Sequence, residues 1–197
     1  MRLVFASNNA HKLSEVRQIM PADIEVLSLQ DIGFENETEE NGATLAENSR
    51  IKAEAVRQWL IANNRQTTID GVFADDTGLE IDALNGAPGV YTARWAGEPA
   101  ANRKKALQEL SGKENRACQF RTVITIIRND ETLQVEGVVR GHIAMEEYGK
   151  GGFGYDPIFI PDGYGKTFGE LPADIKNNIS HRGRALAALV KELKRKN

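Results

Sequence analysis

Hydrophobic positions along this chain follow two periods, so segments of strand type and helix type are interleaved. Short apolar runs are "RLVFA" (2–6), "IEVLSL" (24–29) and "GVFAD" (71–75). The first run is followed by "SNNA", a turn-forming stretch, and then by "HKLSEVRQIM", in which Leu13, Val16 and Met20 recur at helical spacing. The chain is therefore predicted to begin as strand, loop and helix.

Two longer segments have the pattern of amphipathic helices. In "TLAENSRIKAEAVRQWLIANN" (44–64), Ala46, Ala53, Val56 and Leu60 fall on one face, and charged residues cover much of the rest. In "SHRGRALAALVKELKRK" (180–196), apolar residues lie one turn apart and the basic residues are toward the C-terminal end, where they suit the helix dipole. We expect a helix in each.

The pattern between these helices indicates a hairpin. "CQFRTVITII" (118–127) and "LQVEGVVRG" (133–141) both alternate apolar and polar residues, and "RNDE" between them has the composition of a turn. An antiparallel hairpin among strands that alternate with helices predicts an α/β fold with a mixed sheet and flanking helices. We find no repeat or linker, and we expect one domain, with two lobes, over residues 1–197.

Composition narrows the class of protein. The chain has 197 residues, 41% of them hydrophobic and 27% charged, and its formal charge of −3 is spread along the sequence, which argues against a nucleic-acid polymer as partner. The single cysteine, Cys118, excludes an intrachain disulfide and is expected in the core. The apolar run at the N-terminus is too short for a signal peptide, and no stretch is long enough to cross a bilayer. We expect a cytoplasmic protein without a membrane partner.

The loop "SNNAHK" (7–12) lies between the first strand and the first helix. Free backbone N–H groups and the positive end of the helix dipole suit a phosphate, and Lys12 adds a full positive charge. The loop lacks the glycines of a P-loop. A turn with a helix N-cap is the other interpretation of the same residues.

Two carboxylates, Asp75 and Asp76, directly follow the apolar run that begins at Gly71. Because buried carboxylates need a hydrogen-bonding partner or a cation, we expect the strand to end here, with one aspartate reaching a site and the other supporting it. The acidic segment "ENETEENGAT" (35–44) offers Glu40 as a second oxygen ligand for a hard cation such as Mg²⁺. Solvated turns would have the same composition.

The segment "GKGGFGYDPIFIPDGYGKTFGELP" (149–172) combines glycines with aromatic residues. Its glycines allow the main chain to approach a ligand closely, while Phe153 and Tyr155 offer aromatic faces to a base. Hydrogen-bond donors follow at Lys176, His181 and Arg182. Each of these residues alone could have a purely structural role, as a core aromatic, a turn residue or the start of a helix. Such roles explain the whole combination less well.

The whole set of motifs resembles the inosine triphosphate pyrophosphatase family, also called the dITP/XTP pyrophosphatases. The resemblance runs nearly end to end through "SNNAHK", "ENGATLAENSRIKA", "FADDTGLEIDALNGAPGVYTARWAG", "GGFGYDPIF" and "ISHRGRAL". It implies an elongated α/β fold whose two lobes flank a nucleotide-binding cleft, and a homodimer. It also implies Mg²⁺-dependent cleavage of ITP, dITP and XTP between the α and β phosphates, which keeps deaminated purines out of DNA and RNA.

The resemblance also implies roles for individual residues. Asp76 takes the position of the catalytic proton acceptor and, with Glu40, of the metal ligands, and Asp75 is its structural neighbour. The residues implied to contact the nucleotide are Ser7, Asn8, Asn9, Ala10, His11, Lys12, Thr77, Phe153, Gly154, Tyr155, Asp156, Lys176, His181 and Arg182. Thr77 stands where many members have serine, and Lys150 stands where they have threonine, which we expect to alter affinity more than activity.

Two other functions are alternatives to this interpretation. One is a pyrophosphatase for modified pyrimidine nucleotides, against which "GGFGYDP" and "SHR" argue. The other is a catalytically idle nucleotide sensor, which the presence of Asp76 and Lys12 disfavours.

Donors such as Arg182 or His181 would favour a 6-oxo purine over adenine, as arginine favours guanine O6. The sequence does not show how guanine would be rejected.

Overall fold

The computed structural model describes residues 1–36 and 38–195, which contain seven strands and five α-helices. The strands are β1 (Arg2–Phe5), β2 (Glu25–Leu27), β3 (Gly71–Ile81), β4 (Pro88–Gly89), β5 (Ala117–Arg128), β6 (Glu131–Ile143) and β7 (Phe159–Pro161). The helices are α1 (Ala10–Ile19), α2 (Leu45–Ala62), α3 (Pro99–Glu109), α4 (Ala173–Ile179) and α5 (His181–Arg195). Glu37 of the acidic segment and Lys196 of the last predicted helix lie outside the described residues.

The sheet is mixed, as predicted. Its strand order is β2-β1-β3-β5-β6-β7, and β4 pairs with β3. Strand β1 is parallel to both β2 and β3, whereas β3 with β4 and β6 with β7 are antiparallel. The predicted α/β class is therefore confirmed.

The predicted hairpin is formed by β5 and β6. Only Asn129 and Asp130 separate the two neighbouring strands, and both have positive φ, 51° and 60°. A two-residue turn with both residues in the left-handed region matches the twist of antiparallel strands, and asparagine and aspartate tolerate that region.

The chain divides into two compact units. Unit 1 comprises residues 1–76, 122–136 and 185–197, and unit 2 comprises residues 77–121 and 137–184. The units are not contiguous in sequence, because β3, β5, β6 and α5 each contribute to both. The single domain over residues 1–197 and the cleft between its lobes stay predictions.

Unit 1 buries both faces of its part of the sheet. Phe5 and Phe73 stack with ring centroids 5.0 Å apart in a cluster that also takes in residues of α1 and α5. Val4 and Val72 belong to a second cluster with the apolar residues of α2. Side chains that alternate along parallel strands thus enter two cores, which explains the nearly continuous apolar runs of β1 and β3.

Unit 2 has a core rich in aromatic residues. Phe159 packs against Phe120 and Phe168 at centroid distances of 4.8 and 5.0 Å. Helix α3 contributes Ala106 to this core. This helix was not predicted, although Pro99 at its start is a recognisable signal, because its inward face is short and includes the buried polar residue Asn102.

Two predicted features require correction. Strand β3 does not end at Asp75 and Asp76 but continues to Ile81, so both carboxylates lie within a strand. Helix α2 does bury Ala53, Val56 and Leu60, but its other buried residues include Asn48, Ser49 and Lys52, whereas Ala46 is only half-buried. Of these polar residues, Lys52 belongs to the site described next.

Over the described part of the chain, no helix combines the length and the apolar character that crossing a membrane requires.

Candidate functional site

Eight of the residues predicted to be catalytic, metal-binding or nucleotide-binding, together with Asp75 and Lys52, form two clusters, one within each unit. The acidic cluster of unit 1 consists of Lys12, Glu40, Lys52, Asp75 and Asp76. The aromatic–basic cluster of unit 2 consists of Phe153, Asp156, Lys176, His181 and Arg182.

The loop before α1 is organised by side chains that cap the helix. Asn9 is the N-cap, and its Oδ1 accepts a hydrogen bond of 3.1 Å from the backbone N–H of Lys12. The hydroxyl of Ser7 accepts one from the N–H of Asn9. Asn8, Ala10 and His11 are exposed. The capping interpretation of this loop is thereby confirmed for Asn9, and the open side of the first turn faces solvent.

Within β3, the two adjacent aspartates contact different elements. Asp75 is 1% exposed, and its Oδ1 lies 2.9 Å from Nζ of Lys12 on α1. Asp76 is 8% exposed, and its Oδ1 lies 3.3 Å from Nζ of Lys52 on α2. Successive side chains of a strand point to opposite faces, which is why one aspartate faces each helix. The alternation of side chains within β3 therefore directs the two aspartates to different helices, which had been expected to require the end of the strand.

Lys52 joins the predicted metal ligands. Its Nζ lies 2.9 Å from Oε2 of Glu40 in addition to its contact with Asp76, so one ammonium group is shared by both carboxylates. Lys52 was not predicted from the sequence. A signal was available, because Lys52 lies one turn before Val56, which was predicted on the inward side of α2, where an unpaired lysine would be costly.

Burial and charge act in opposite directions on this cluster. Burial raises the pKa of Asp76 above its ordinary value, and Lys52 and Lys12 only partly offset that effect. Burial alone would lower the pKa of Lys52, but the charges of Asp76, Asp75 and Glu40 outweigh it and raise that pKa. A lysine surrounded by carboxylates therefore stays protonated.

The cluster has the donor chemistry of a hard-cation site without a preformed cage. Among residues 1–36 and 38–195, no three His, Cys, Asp or Glu side chains converge as metal ligands do. Glu40 and Asp76 nevertheless already share one cation, the Lys52 ammonium. Two carboxylates together with substrate phosphates match the way proteins bind Mg²⁺, so the residues present fit such a metal.

In unit 2, the carboxylate of Asp156 organises the turn that carries Phe153. Its Oδ2 accepts hydrogen bonds from the backbone N–H of Phe153 at 2.7 Å and from Nζ of Lys176 at 2.5 Å. Gly152 has φ of +69°, and a Cβ there would lie 2.0 Å from this same oxygen. The turn can wrap around the carboxylate only because glycine occupies position 152.

Two cations lie over the half-buried ring of Phe153. Nζ of Lys176 is 5.1 Å from its centroid, and Cζ of Arg182 is 5.6 Å from it. Arg182 also donates from Nη2 to the hydroxyl of Thr77 at 3.3 Å. Arg182 is among the largest fully buried side chains, which is unusual for arginine.

His181 and Tyr155 are packed into the core of unit 2. The imidazole of His181 stacks on Phe120 at 4.6 Å, and the hydroxyl of Tyr155 donates to the carbonyl of Thr92 at 3.0 Å. Gly183 permits the tight junction of α4 and α5, since a Cβ there would lie 1.8 Å from the carbonyl oxygen of Asn177. Phe153 is thus a half-buried ring, whereas base contacts by His181 and Tyr155 stay predictions.

Arg103, on α3, is a further residue that the sequence analysis missed. Its Nη1 donates to the carbonyl of Gly154 at 2.9 Å, and its Nε lies 3.0 Å from Glu147. It anchors the glycine-rich turn from a helix that had not been predicted, so no sequence pattern pointed to it.

Comparison with known proteins shows the family of this chain. The Ham1 family profile matches residues 3–192. The dITP/XTP pyrophosphatase of Bacillus subtilis is 48% identical over 197 residues, and that of Flavobacterium johnsoniae is 45% identical over 193; in each case the match covers 96% of both chains. The Staphylococcus aureus Ham1 protein has a similar structure, with a TM-score of 0.86, 39% identity and complete coverage of both chains. The chain belongs to the Ham1 family.

Proposed function

We propose that this chain hydrolyses the non-standard purine nucleoside triphosphates ITP, dITP and XTP to the monophosphate and pyrophosphate. It is a nucleoside triphosphate pyrophosphatase, as its relatives in Bacillus subtilis and Flavobacterium johnsoniae are named. The observation that carries the proposal is the arrangement of Asp76, Glu40 and Lys52, in which two carboxylates share one cation. Removing deaminated purine nucleotides would keep them out of DNA and RNA.

Asp76 is the proposed catalytic residue. It takes a proton from water as the water oxygen bonds to the α phosphorus, and the bond between that phosphorus and the bridging oxygen breaks to release pyrophosphate. Burial raises its pKa toward the range in which a general base works well, and the nearby lysines oppose that shift. The contacts of Asp76 with α2 hold it for this task.

Lys12 and Lys52 are proposed to offset the negative charge that develops on the phosphates. Glu40 and Asp76 are the residues that would hold Mg²⁺, which supplies Lewis-acid stabilisation of the phosphate oxygens when bound. Other backbone N–H groups at the start of α1 would add hydrogen bonds to the triphosphate, since those of Ser7, Asn9 and Lys12 are already bonded within the protein. A triphosphate entering this site would compete with Asp75 for Lys12.

The aromatic–basic cluster of unit 2 is proposed to select the base. A purine ring would stack against the half-buried ring of Phe153, and Lys176 and Arg182 would supply donors. Hypoxanthine and xanthine have an accepting 6-oxo group where adenine has a donating 6-amino group, so adenine would leave these donors unpaired. A nucleoside triphosphate carries both the phosphates that suit the acidic cluster and the base that suits the aromatic–basic cluster.

The location, the oligomeric state and the partners of the enzyme are proposed from the family. We expect a cytoplasmic homodimer in which residues 1–197 act as one pyrophosphatase domain, with no nucleic-acid polymer and no membrane as partner. Size-exclusion chromatography with light scattering tests the dimer, since a monomeric mass at micromolar concentration would contradict it.

The first experiment is pyrophosphate release from ITP, dITP, XTP, GTP and ATP, each with and without Mg²⁺. We expect rapid, Mg²⁺-dependent release from the first three only. Equal rates on ATP would contradict the proposed base selection. Binding without release from any of them would contradict the pyrophosphatase assignment and favour a nucleotide sensor.

A further inference from the structure

Asn48 lies on the inward face of α2, one turn before Lys52, and it is 0% exposed. Its Nδ2 donates to Oδ2 of Asp76 at 3.3 Å, and its Oδ1 accepts from the backbone N–H of Gly42 at 2.8 Å. Because the N–H of Gly42 is a donor, the carbonyl end of the amide must face it, and the NH₂ end must face Asp76. The orientation of this amide is therefore determined by its surroundings.

The two oxygens of Asp76 are held by different residues of the same helix. Lys52 contacts Oδ1 and Asn48 contacts Oδ2, each at 3.3 Å. Positions 48 and 52 are four apart, so their side chains lie on the same face of α2, one above the other. Lysine supplies charge at this face, whereas asparagine supplies a neutral, directed hydrogen bond.

Asn48 also fastens the acidic loop that carries Glu40. Three successive backbone N–H groups of this loop are bound by the first turns of α2: that of Gly42 by Asn48 at 2.8 Å, and those of Ala43 and Thr44 by Glu47 at 2.7 and 3.2 Å. The bonds of Glu47 and Thr44 form a capping box, which many helices have. The bond from Asn48 reaches further, to a residue beyond the cap.

The space around Gly42 is too small for a side chain, so the backbone of this residue lies close to α2. A Cβ at position 42 would lie 2.7 Å from Cβ of Glu47 and 2.8 Å from Oδ1 of Asn48. Any other residue there would push the loop away from α2 and lengthen the bond to Asn48. Glycine at 42 and asparagine at 48 thus form one contact.

We propose that Asn48 is a positioning residue for the reaction, since its one amide orients the carboxylate of Asp76 and fixes the loop that carries Glu40. This inference rests on the proposed function, in which Asp76 and Glu40 act on the triphosphate. Asn48 itself touches neither the reacting atoms nor the substrate. Its role is to keep the two carboxylates at a constant separation as the substrate arrives.

Asn48→Asp should keep the hydrogen bond from Gly42 and remove the one to Asp76. The replacement has nearly the same shape, and its oxygen still accepts the N–H of Gly42, but it presents a second carboxylate to Asp76 in place of a donor. We expect kcat for ITP to fall about 10–100-fold, the usual effect of losing a hydrogen bond that orients a catalytic or metal-binding group. We expect KM to change by less than about threefold, because Asn48 contacts no part of the substrate.

Asn48→Ala removes both hydrogen bonds, the one from Gly42 and the one to Asp76. We expect the same loss of kcat, and in addition faster hydrogen exchange at the amide of Gly42, measured by NMR in the absence of nucleotide and metal. In Asn48→Asp that amide should remain protected. This readout is independent of turnover, and it also provides the comparison if Asn48→Asp does not fold.

Ser49→Ala is the matched control. Ser49 is the next residue of α2 and is also 0% exposed, but its hydroxyl bonds to Thr125 and to the carbonyl of Ala46, not to the acidic cluster. This variant should lower the melting temperature without changing kcat or the exchange of Gly42.

The outcomes separate the two proposals. A parental chain that releases no pyrophosphate from ITP overturns the proposed function and, with it, the role of Asn48 in turnover. An active parental chain combined with full kcat in folded Asn48→Asp and Asn48→Ala overturns the inference about Asn48 alone. Unchanged exchange of Gly42 in Asn48→Ala overturns the part that concerns the loop.

Discussion

The two clusters use acidic and basic side chains in opposite proportions. In the acidic cluster, Asp75, Asp76 and Glu40 outnumber Lys12 and Lys52, and the contacts of Lys52 with Asp76 are long, at 3.3 Å. The aromatic–basic cluster has three basic residues, Lys176, Arg182 and His181, and one carboxylate, that of Asp156, whose bond to Lys176 is short, at 2.5 Å.

The difference indicates what each cluster is suited to do. An excess of carboxylates around shared lysines suits a site that takes up a cation and a proton, because added positive charge relieves repulsion. The carboxylate of Asp156, which accepts hydrogen bonds from Lys176 and from the backbone N–H of Phe153, is instead suited to anchor the turn that carries Phe153. We therefore propose that buried charge is reactive in unit 1 and structural in unit 2.

Replacing one aspartate in each cluster tests this contrast most strongly. Asp76→Asn should lower kcat for ITP by about 10²–10⁴-fold with KM little changed, because the proton acceptor is lost. Asp156→Asn should mainly raise KM, because the turn that carries Phe153 loses its anchor. Steady-state kinetics on both variants, with circular dichroism as a folding control, make the comparison. Similar effects on kcat in both would remove the distinction between the clusters.

Lys12 is expected to have two separable roles. Lys12→Ala should weaken binding of ITP more than binding of IMP, and it should also lower the free energy of unfolding by roughly 3 kcal/mol, because buried Asp75 loses its ion pair. In Lys12→Ala combined with Asp75→Asn, stability should largely return while triphosphate affinity stays weak. Calorimetric titration and urea denaturation measure the two effects. Recovery of both together would contradict a phosphate contact.

Phe153→Ala tests the base contact in unit 2. Loss of the stacking face should raise KM for ITP by roughly tenfold, which corresponds to about 1.4 kcal/mol, a usual value for stacking between a base and an aromatic side chain. The preference for ITP over ATP should decrease as well, while kcat falls less. Tyr155→Phe is the control, since it should cost some stability through the bond to Thr92 but leave the preference unchanged.

The smallest expected effect is on stability at alkaline pH. Neighbouring carboxylates outweigh burial and raise the pKa of Lys52 in the folded state. A raised pKa means that protonated Lys52 stabilises the fold fully below its ordinary pKa, and that this contribution is lost as pH rises through the higher folded value. Urea midpoints should therefore fall less steeply above pH 10.5 in Lys52→Gln than in the parental chain. Parallel curves would contradict a stabilising charge at Lys52.

Much of the fold followed from local patterns. The apolar runs of β1 and β3, the periodicity of α1, α2 and α5, and the turn at Asn129 and Asp130 were all predicted, because each depends on residues close in sequence. Helix α3 was not, since Ala106 and the buried Asn102 give it only a narrow inward face. The extension of β3 through its aspartates was also missed, because adjacent carboxylates normally end a buried strand.

By itself, the sequence determined the α/β class, the mixed sheet and the segments that carry the chemistry, since hydrophobic period and turn composition are local properties. Only the tertiary structure decided which charges meet. Lys52 lies 24 residues from Asp76 along the chain, and Lys12 lies 63 from Asp75, yet both pairs are in contact. The free energy of such a pair depends on shared burial and on hydrogen-bond partners, and these exist only after the strands and helices have packed.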